Sequence, residues 1–109
     1  MKKGLLVVLT VAIAVLFLPH SLRADTGVDG AAVYKAKCAM CHGPDGKGQT
    51  AMGKSLKLRD LGSAEVQKLT DAELNKIITD GKGKMPAYKS KLDQASIDAV
   101  IAFIRTLKK

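Results

Sequence analysis

The sequence predicts an all-α domain, three main helices joined by long loops, and three observations carry that prediction. Apolar residues recur at helical intervals of three and four in segments that open on capping residues, and no alternating strand pattern competes. Between Gly43 and Leu61, Gly43, Pro44, Gly46, Gly48 and Gly53 interrupt regular structure repeatedly, which reads as one long ordered loop. Loops of that length are uncommon unless they serve a function or wrap a ligand. Finally, the chain has no Trp and its best apolar segment is its last helix, so a domain this small needs a stabilising group beyond its own core, which rarely supplies more than about 3 to 5 kcal/mol.

The first stretch stands apart from that domain. Lys2 and Lys3 precede an apolar run from Leu5 to Leu18, followed by Pro19 and a polar segment ending in Ser21, Leu22, Arg23 and Ala24. This is the three-part layout of a secretory signal peptide, with cleavage expected after Ala24. An uncleaved anchor is the competing reading, but the run is shorter than the roughly 20 residues a spanning helix needs. Residues 1–24 are therefore read as a signal peptide and residues 25–109 as one domain delivered to the periplasm, with no stable membrane insertion after cleavage. Loss of Lys2, Lys3 and Arg23, with no acid alongside, lowers the net charge from +8 to +5. Tyr34, Tyr88 and Phe103 are then the only aromatics, and there is no Lys/Arg block, so nucleic acid is not an expected partner.

The elements follow in order. Asp29 is placed to start a helix carrying Ala32, Val33 and Ala36 toward one side and running into Cys38. After the glycine-broken loop, Ser63 to Lys68 forms a short helical turn. Thr70 with Glu73 makes a capping-box pattern for a helix from about Asp71 to Asp80, with Leu74, Ile77 and Ile78 on one face and Gly81 as its stop. Gly81 to Pro86 must be loop. Asp93 caps the last helix, in which Ile97, Val100, Ile101, Ile104 and Leu107 form the apolar face and Lys108 and Lys109 complement the dipole.

The chemistry sits in Cys38-Ala39-Met40-Cys41-His42, a haem-attachment pattern. Two thiols one helical turn apart can each add to a haem vinyl group, and the next residue presents an imidazole to the iron. A thioredoxin-like pair needs a sheet with crossover helices, which this sequence lacks. A zinc site needs more donors, and His42 is the only histidine once His20 leaves with the signal. A plain disulfide gives no reason for the histidine that follows.

The iron's second axial ligand must come from elsewhere, and a Met opposite a His is the pairing of electron-transfer cytochromes c. Met40 lies between the cysteines and cannot reach the opposite face. Met52, close behind the motif, is expected to pack on the haem edge or the core. Met85 follows Gly81 and Gly83, which permit close backbone approach to a flat surface, and precedes Pro86, which biases it toward an extended conformation. It lies 43 residues beyond His42, with one helix between to carry the chain to the other face.

The motif with its Gly43-Pro44-Asp45-Gly46-Lys47-Gly48 continuation, the Gly81-Lys82-Gly83-Lys84-Met85-Pro86 segment and the closing helix through Phe103 together resemble the small bacterial class I c-type cytochromes. The resemblance covers nearly all of residues 25–109. It implies the class I cytochrome c fold around one covalently bound haem c, thioether attachment at Cys38 and Cys41, and axial ligation by His42 and Met85. It also implies a crossing of the first and last helices through Gly30 and Tyr34 with Val100 and Phe103. Many members place a Pro in the loop whose carbonyl accepts the proximal histidine's N–H. Here that region reads Gly48-Gln49-Thr50-Ala51-Met52-Gly53, and the carbonyl is expected from the Thr50–Gly53 stretch.

With both axial positions taken by side chains the expectation is a monomeric one-electron carrier and no enzyme. A haem sensor or peroxidase-like protein, in which Met85 dissociates to open a site, is the alternative. Lys37, Lys47, Lys82, Lys84, Lys89 and Lys91 are expected to ring the haem edge and steer redox proteins with acidic docking surfaces.

Overall fold

A computed structural model describes residues 27–109, so the signal-peptide reading of residues 1–24 lies outside the described residues. Six helices follow in chain order: α1 (Gly30–Lys37), α2 (Ala39–His42), α3 (Ala51–Leu56), α4 (Ala64–Gln67), α5 (Asp71–Asp80) and α6 (Gln94–Thr106). Among the described residues no strand occurs beyond one isolated bridge between Lys82 and Met85. None of the helices described is long and apolar enough to cross a membrane.

The capping expectations hold in detail. The Asp29 carboxylate accepts from the Ala32 N–H at 3.2 Å, and Asp93 accepts from Ser96 N–H at 2.8 Å. Thr70 and Glu73 satisfy each other's backbone N–H groups at 3.1 and 2.7 Å, closing the capping box at the head of α5. Gly81 ends that helix at a φ of 77°, a left-handed conformation that side chains resist.

One expectation is corrected. The Gly43–Leu61 region is not loop throughout, because α3 forms inside it. The Thr50 hydroxyl accepts from Gly53 N–H at 2.9 Å, and Lys57 stops the helix in the left-handed region at a φ of 55°. Ala51, Met52, Lys54 and Leu56 favour helix strongly enough to outweigh Gly53, whose helix cost is only about 1 kcal/mol.

The core is small: Tyr34, Val66, Leu74, Ile78, Ile97, Val100, Ile101 and Ile104 are its buried members. It is built where α1 crosses α6 and α5 packs beside them. A Cβ on Gly30 would collide with the Ala99 carbonyl oxygen, so the absence of a side chain is what lets α1 lie directly on α6. At that crossing Tyr34 and Val100 are the most deeply buried side chains, and the rings of Tyr34 and Phe103 stand 4.7 Å apart at 42°. The crossing implied by the resemblance is therefore present.

Arg105 closes the other side of α6. Its guanidinium donates to the carbonyls of Gln67 at 2.9 Å and Leu69 at 2.5 Å and pairs with Asp71 at 2.8 Å. The Gln67 amide in turn donates to the carbonyls of Leu61 and Ile104 at 2.8 and 3.0 Å. This network ties the connection between α4 and α5 to the last helix and leaves the opposite side of the core to Cys38, Ala39, Met85, Tyr88 and Leu92.

Candidate functional site

The cysteine motif is built as a single turn continuing from α1. Cys38 N–H donates to the Tyr34 carbonyl at 2.8 Å, and the Cys38 carbonyl accepts from Cys41 and His42 N–H at 3.2 and 3.0 Å. Cys38 and Cys41 thus stand one turn apart, both free thiols and both half-buried. Burial, with the neighbouring Cys41 as a lesser cause, pushes the Cys38 thiol up to about 11. The thiol is kept neutral in a poorly hydrated place.

Immediately after His42 the chain turns back on itself. The Tyr34 hydroxyl donates to the Gly43 carbonyl at 2.6 Å, and Gly48 N–H donates to the His42 carbonyl at 2.8 Å. Burial holds His42 below its ordinary pKa, so the imidazole favours its neutral form, the form that ligates a metal. Its Nδ1 is buried and makes no hydrogen bond to any described residue. A half-buried, neutral imidazole beside two shielded thiols, in a chain whose core is small, fits a bound metal-bearing group supplied from outside the polypeptide.

The carbonyl expected for His42 from the Thr50–Gly53 stretch is not delivered. His42 Nδ1 does not reach it, and the Thr50 and Gly53 carbonyls accept from Lys54 and Leu58 N–H at 2.9 Å each within α3 and its stop. The Thr50 hydroxyl donates instead to the Cys41 carbonyl at 2.6 Å, so this stretch braces the motif at Cys41 rather than at His42. Met52 does not pack into the core either; it sits on α3 with 48% of its surface exposed.

Met85 lies in a tight turn in which Lys82 and Met85 exchange backbone hydrogen bonds at 3.1 and 3.0 Å around Gly83 and Lys84. It is half-buried and packs against the same apolar core as Cys38 and Ala39. Beyond it, Tyr88 and Lys89 N–H donate to the Ile78 and Thr79 carbonyls at 3.0 and 3.2 Å, fastening the segment along the end of α5. The Tyr88 hydroxyl reaches across to the Lys37 carbonyl at 3.0 Å, joining residues 51 apart in sequence. Burial raises the Tyr88 phenol's pKa, with smaller contributions from Cys38 and Cys41. The Met85 segment is therefore neighbour to the cysteine motif. Among the described residues no cluster of His, Cys, Asp and Glu offers an alternative metal site.

The lysines expected at the haem edge differ in their surroundings. Lys37, Lys82, Lys84, Lys89 and Lys91 are exposed, and the ion pairs of the described residues, Arg59–Glu65, Arg105–Asp71 and Lys109–Asp60, use none of them. Lys91 lies 5.5 Å over the Tyr88 ring. Lys47 belongs elsewhere: with Lys109 and the Gly62 N–H as the stronger causes, it helps hold Asp60 below the usual carboxylate range.

The family profile described as cytochrome c oxidase, cbb3-type, subunit III matches residues 25–104. Cytochrome c6 of a Nostoc species is 37% identical over 89 residues, 81% of this chain and 76% of that protein. The cbb3-type cytochrome c oxidase subunit CcoP of Azospirillum brasilense is 34% identical over 90 residues, which are 81% of this chain and 30% of that longer protein. The solved KustC0563 c-type cytochrome superposes with a TM-score of 0.70 at 33% identity, covering 75% of this chain and all of that one.

Proposed function

This chain belongs to the small class I c-type cytochromes, electron-transfer proteins with covalently bound haem c, and from that premise we propose that His42 and Met85 are the axial ligands of its iron. Cys38 and Cys41 carry the thioether bonds. The protein is a one-electron carrier rather than an enzyme, exported to the periplasm by residues 1–24 and docking with redox proteins that present acidic surfaces.

When bound, the haem would supply a one-electron couple, held by His42 and Met85, whose ferrous state a neutral thioether would favour. The chain's own residues do the rest. Cys38 and Cys41, held one turn apart by the hydrogen bonds to the Cys38 carbonyl, anchor the macrocycle at two points. His42 is kept neutral by burial. Cys38, Met85, Tyr88 and Leu92 pack against the same apolar core.

The observation that carries the ligand assignment is the Tyr88 hydroxyl bonded to the Lys37 carbonyl, which draws the Met85 segment alongside the residue that precedes Cys38. Met40 and Met52 are 81% and 48% exposed, whereas Met85 is half-buried against the core. The test is Met85→Ala in the oxidised holoprotein. The expected result is haem still covalently attached, loss of the near-infrared Met-to-iron band, and a high-spin or water-ligated spectrum at lower potential. An unchanged spectrum would overturn the assignment.

A further inference from the structure

The segment from Gly81 to Leu92 is held in two different ways. Its backbone bonds, from Lys82 to Met85 and from Tyr88 and Lys89 to Ile78 and Thr79, tie it to itself and to the end of α5, the helix from which it has just emerged. Those contacts span at most ten residues of sequence and set the segment's shape. They do nothing to place it against the motif on the far side of the chain. Among the described residues, one hydrogen bond does join Gly81–Leu92 to the Asp29–His42 region: the Tyr88 hydroxyl to the Lys37 carbonyl.

That bond sits at a point of leverage. Tyr88 follows Met85 by three residues, and Pro86 between them contributes no N–H to hold the chain. The acceptor belongs to Lys37, the final residue of α1 and directly before Cys38. The phenol ring packs against the core, and the Lys91 ammonium lies 5.5 Å from its centroid. A ring so held aims its hydroxyl with little freedom.

We propose that the Tyr88 hydroxyl is a positioning residue for Met85, a latch to the Lys37 carbonyl that keeps the Met85 segment closed over the motif side of the core. The inference rests on the reading of Met85 as an axial ligand. Lifting Met85 away requires Gly81–Leu92 to swing from the motif, and the hydrogen bond that breaks in that motion is Tyr88 to Lys37. The Tyr88 and Lys89 backbone bonds to Ile78 and Thr79 resist the same motion, and Tyr88→Phe retains them, so that variant isolates the hydroxyl's share. The open population is therefore set in part by this one bond, and any outside ligand that needs the open form binds with an affinity reduced by that population.

The probe is imidazole added to the oxidised holoprotein, with affinity read from loss of the near-infrared Met-to-iron band. Tyr88→Phe removes the hydroxyl and keeps the ring. It should retain the band without imidazole and bind imidazole about fivefold more tightly, the equilibrium effect of one ordinary hydrogen bond. Thr70→Ala, which breaks the capping box at the opposite end of α5, serves as the comparison: it lowers thermal stability and should leave imidazole affinity unchanged. Equal affinity in Tyr88→Phe and the parent protein, or an equal gain in Thr70→Ala, would overturn the latch while leaving Met85 as the ligand. Absence of the band in the parent protein itself would overturn the ligand reading, and the latch with it.

Discussion

The Tyr34 hydroxyl donates to the Gly43 carbonyl at 2.6 Å, so the buried side chain of α1 is fastened to the residue immediately after His42. The same carbonyl also accepts from Gly46 N–H at 3.1 Å. Tyr34→Phe therefore removes one bond without leaving its acceptor empty. The expected loss is about 1 kcal/mol, or a Tm lower by about 5 °C in a domain of this size. Thermal unfolding of the holoprotein measures it, and an unchanged Tm would count against the contact.

Tyr34 also predicts an alkaline limit to stability. Desolvation above all, with Cys38 and Asp45 as lesser causes, pushes its phenol up to about 12, against 10.0 for a free tyrosine. The unfolded chain releases this proton before the folded one does. Stability from this group is thus fully present below about pH 10 and declines as pH rises toward 12. Denaturant unfolding of the parent and Tyr34→Phe across that window should converge, because the variant has no such proton to lose.

Arg105 is expected to matter for the fold and not for the spectrum. It donates to two backbone carbonyls and pairs with Asp71. Arg105→Ala should cost about 2 kcal/mol, since the carbonyls of Gln67 and Leu69 lose a charged donor. The Met-to-iron band should be unaffected. A band lost at neutral pH would show that the α4–α5 connection is coupled to Met85.

The core's eight buried side chains are few for the chain they must order, and His42 Nδ1 lacks a protein partner. A Cys38→Ala/Cys41→Ala chain produced without haem is therefore expected to be largely unfolded, because a group that binds only the native state contributes its binding energy to folding. Far-ultraviolet circular dichroism showing native helix content would contradict this.

From Gly81 to Leu92 the chain carries Lys82, Lys84, Lys89 and Lys91 and no acid, and Tyr88 brings this stretch beside Lys37. Oxidation of the reduced protein by ferricyanide, an anion, should slow as ionic strength rises from about 0.01 M to 0.15 M, where the Debye length shrinks from about 30 to 8 Å. Lys89→Glu/Lys91→Glu should flatten that dependence. Rates indifferent to salt in the parent protein would remove the steering role.

What the sequence determined by itself was local. Asp29, Thr70 and Asp93 cap helices through atoms three residues away, and the Cys38–His42 spacing places two thiols and an imidazole on one turn, so neighbours in the chain suffice to read them. Gly53 concealed α3, since a residue unfavourable to helix in a segment of six dominates its appearance while the Thr50 cap decides the outcome. Tertiary structure alone decided that the Thr50 hydroxyl braces Cys41, that His42 Nδ1 has no partner in the chain, and that the Tyr88 hydroxyl finds Lys37. Those facts depend on where α3 sits against the motif and on how α5 and α1 lie against α6. A bond between residues 51 apart is set by packing, which no local pattern records.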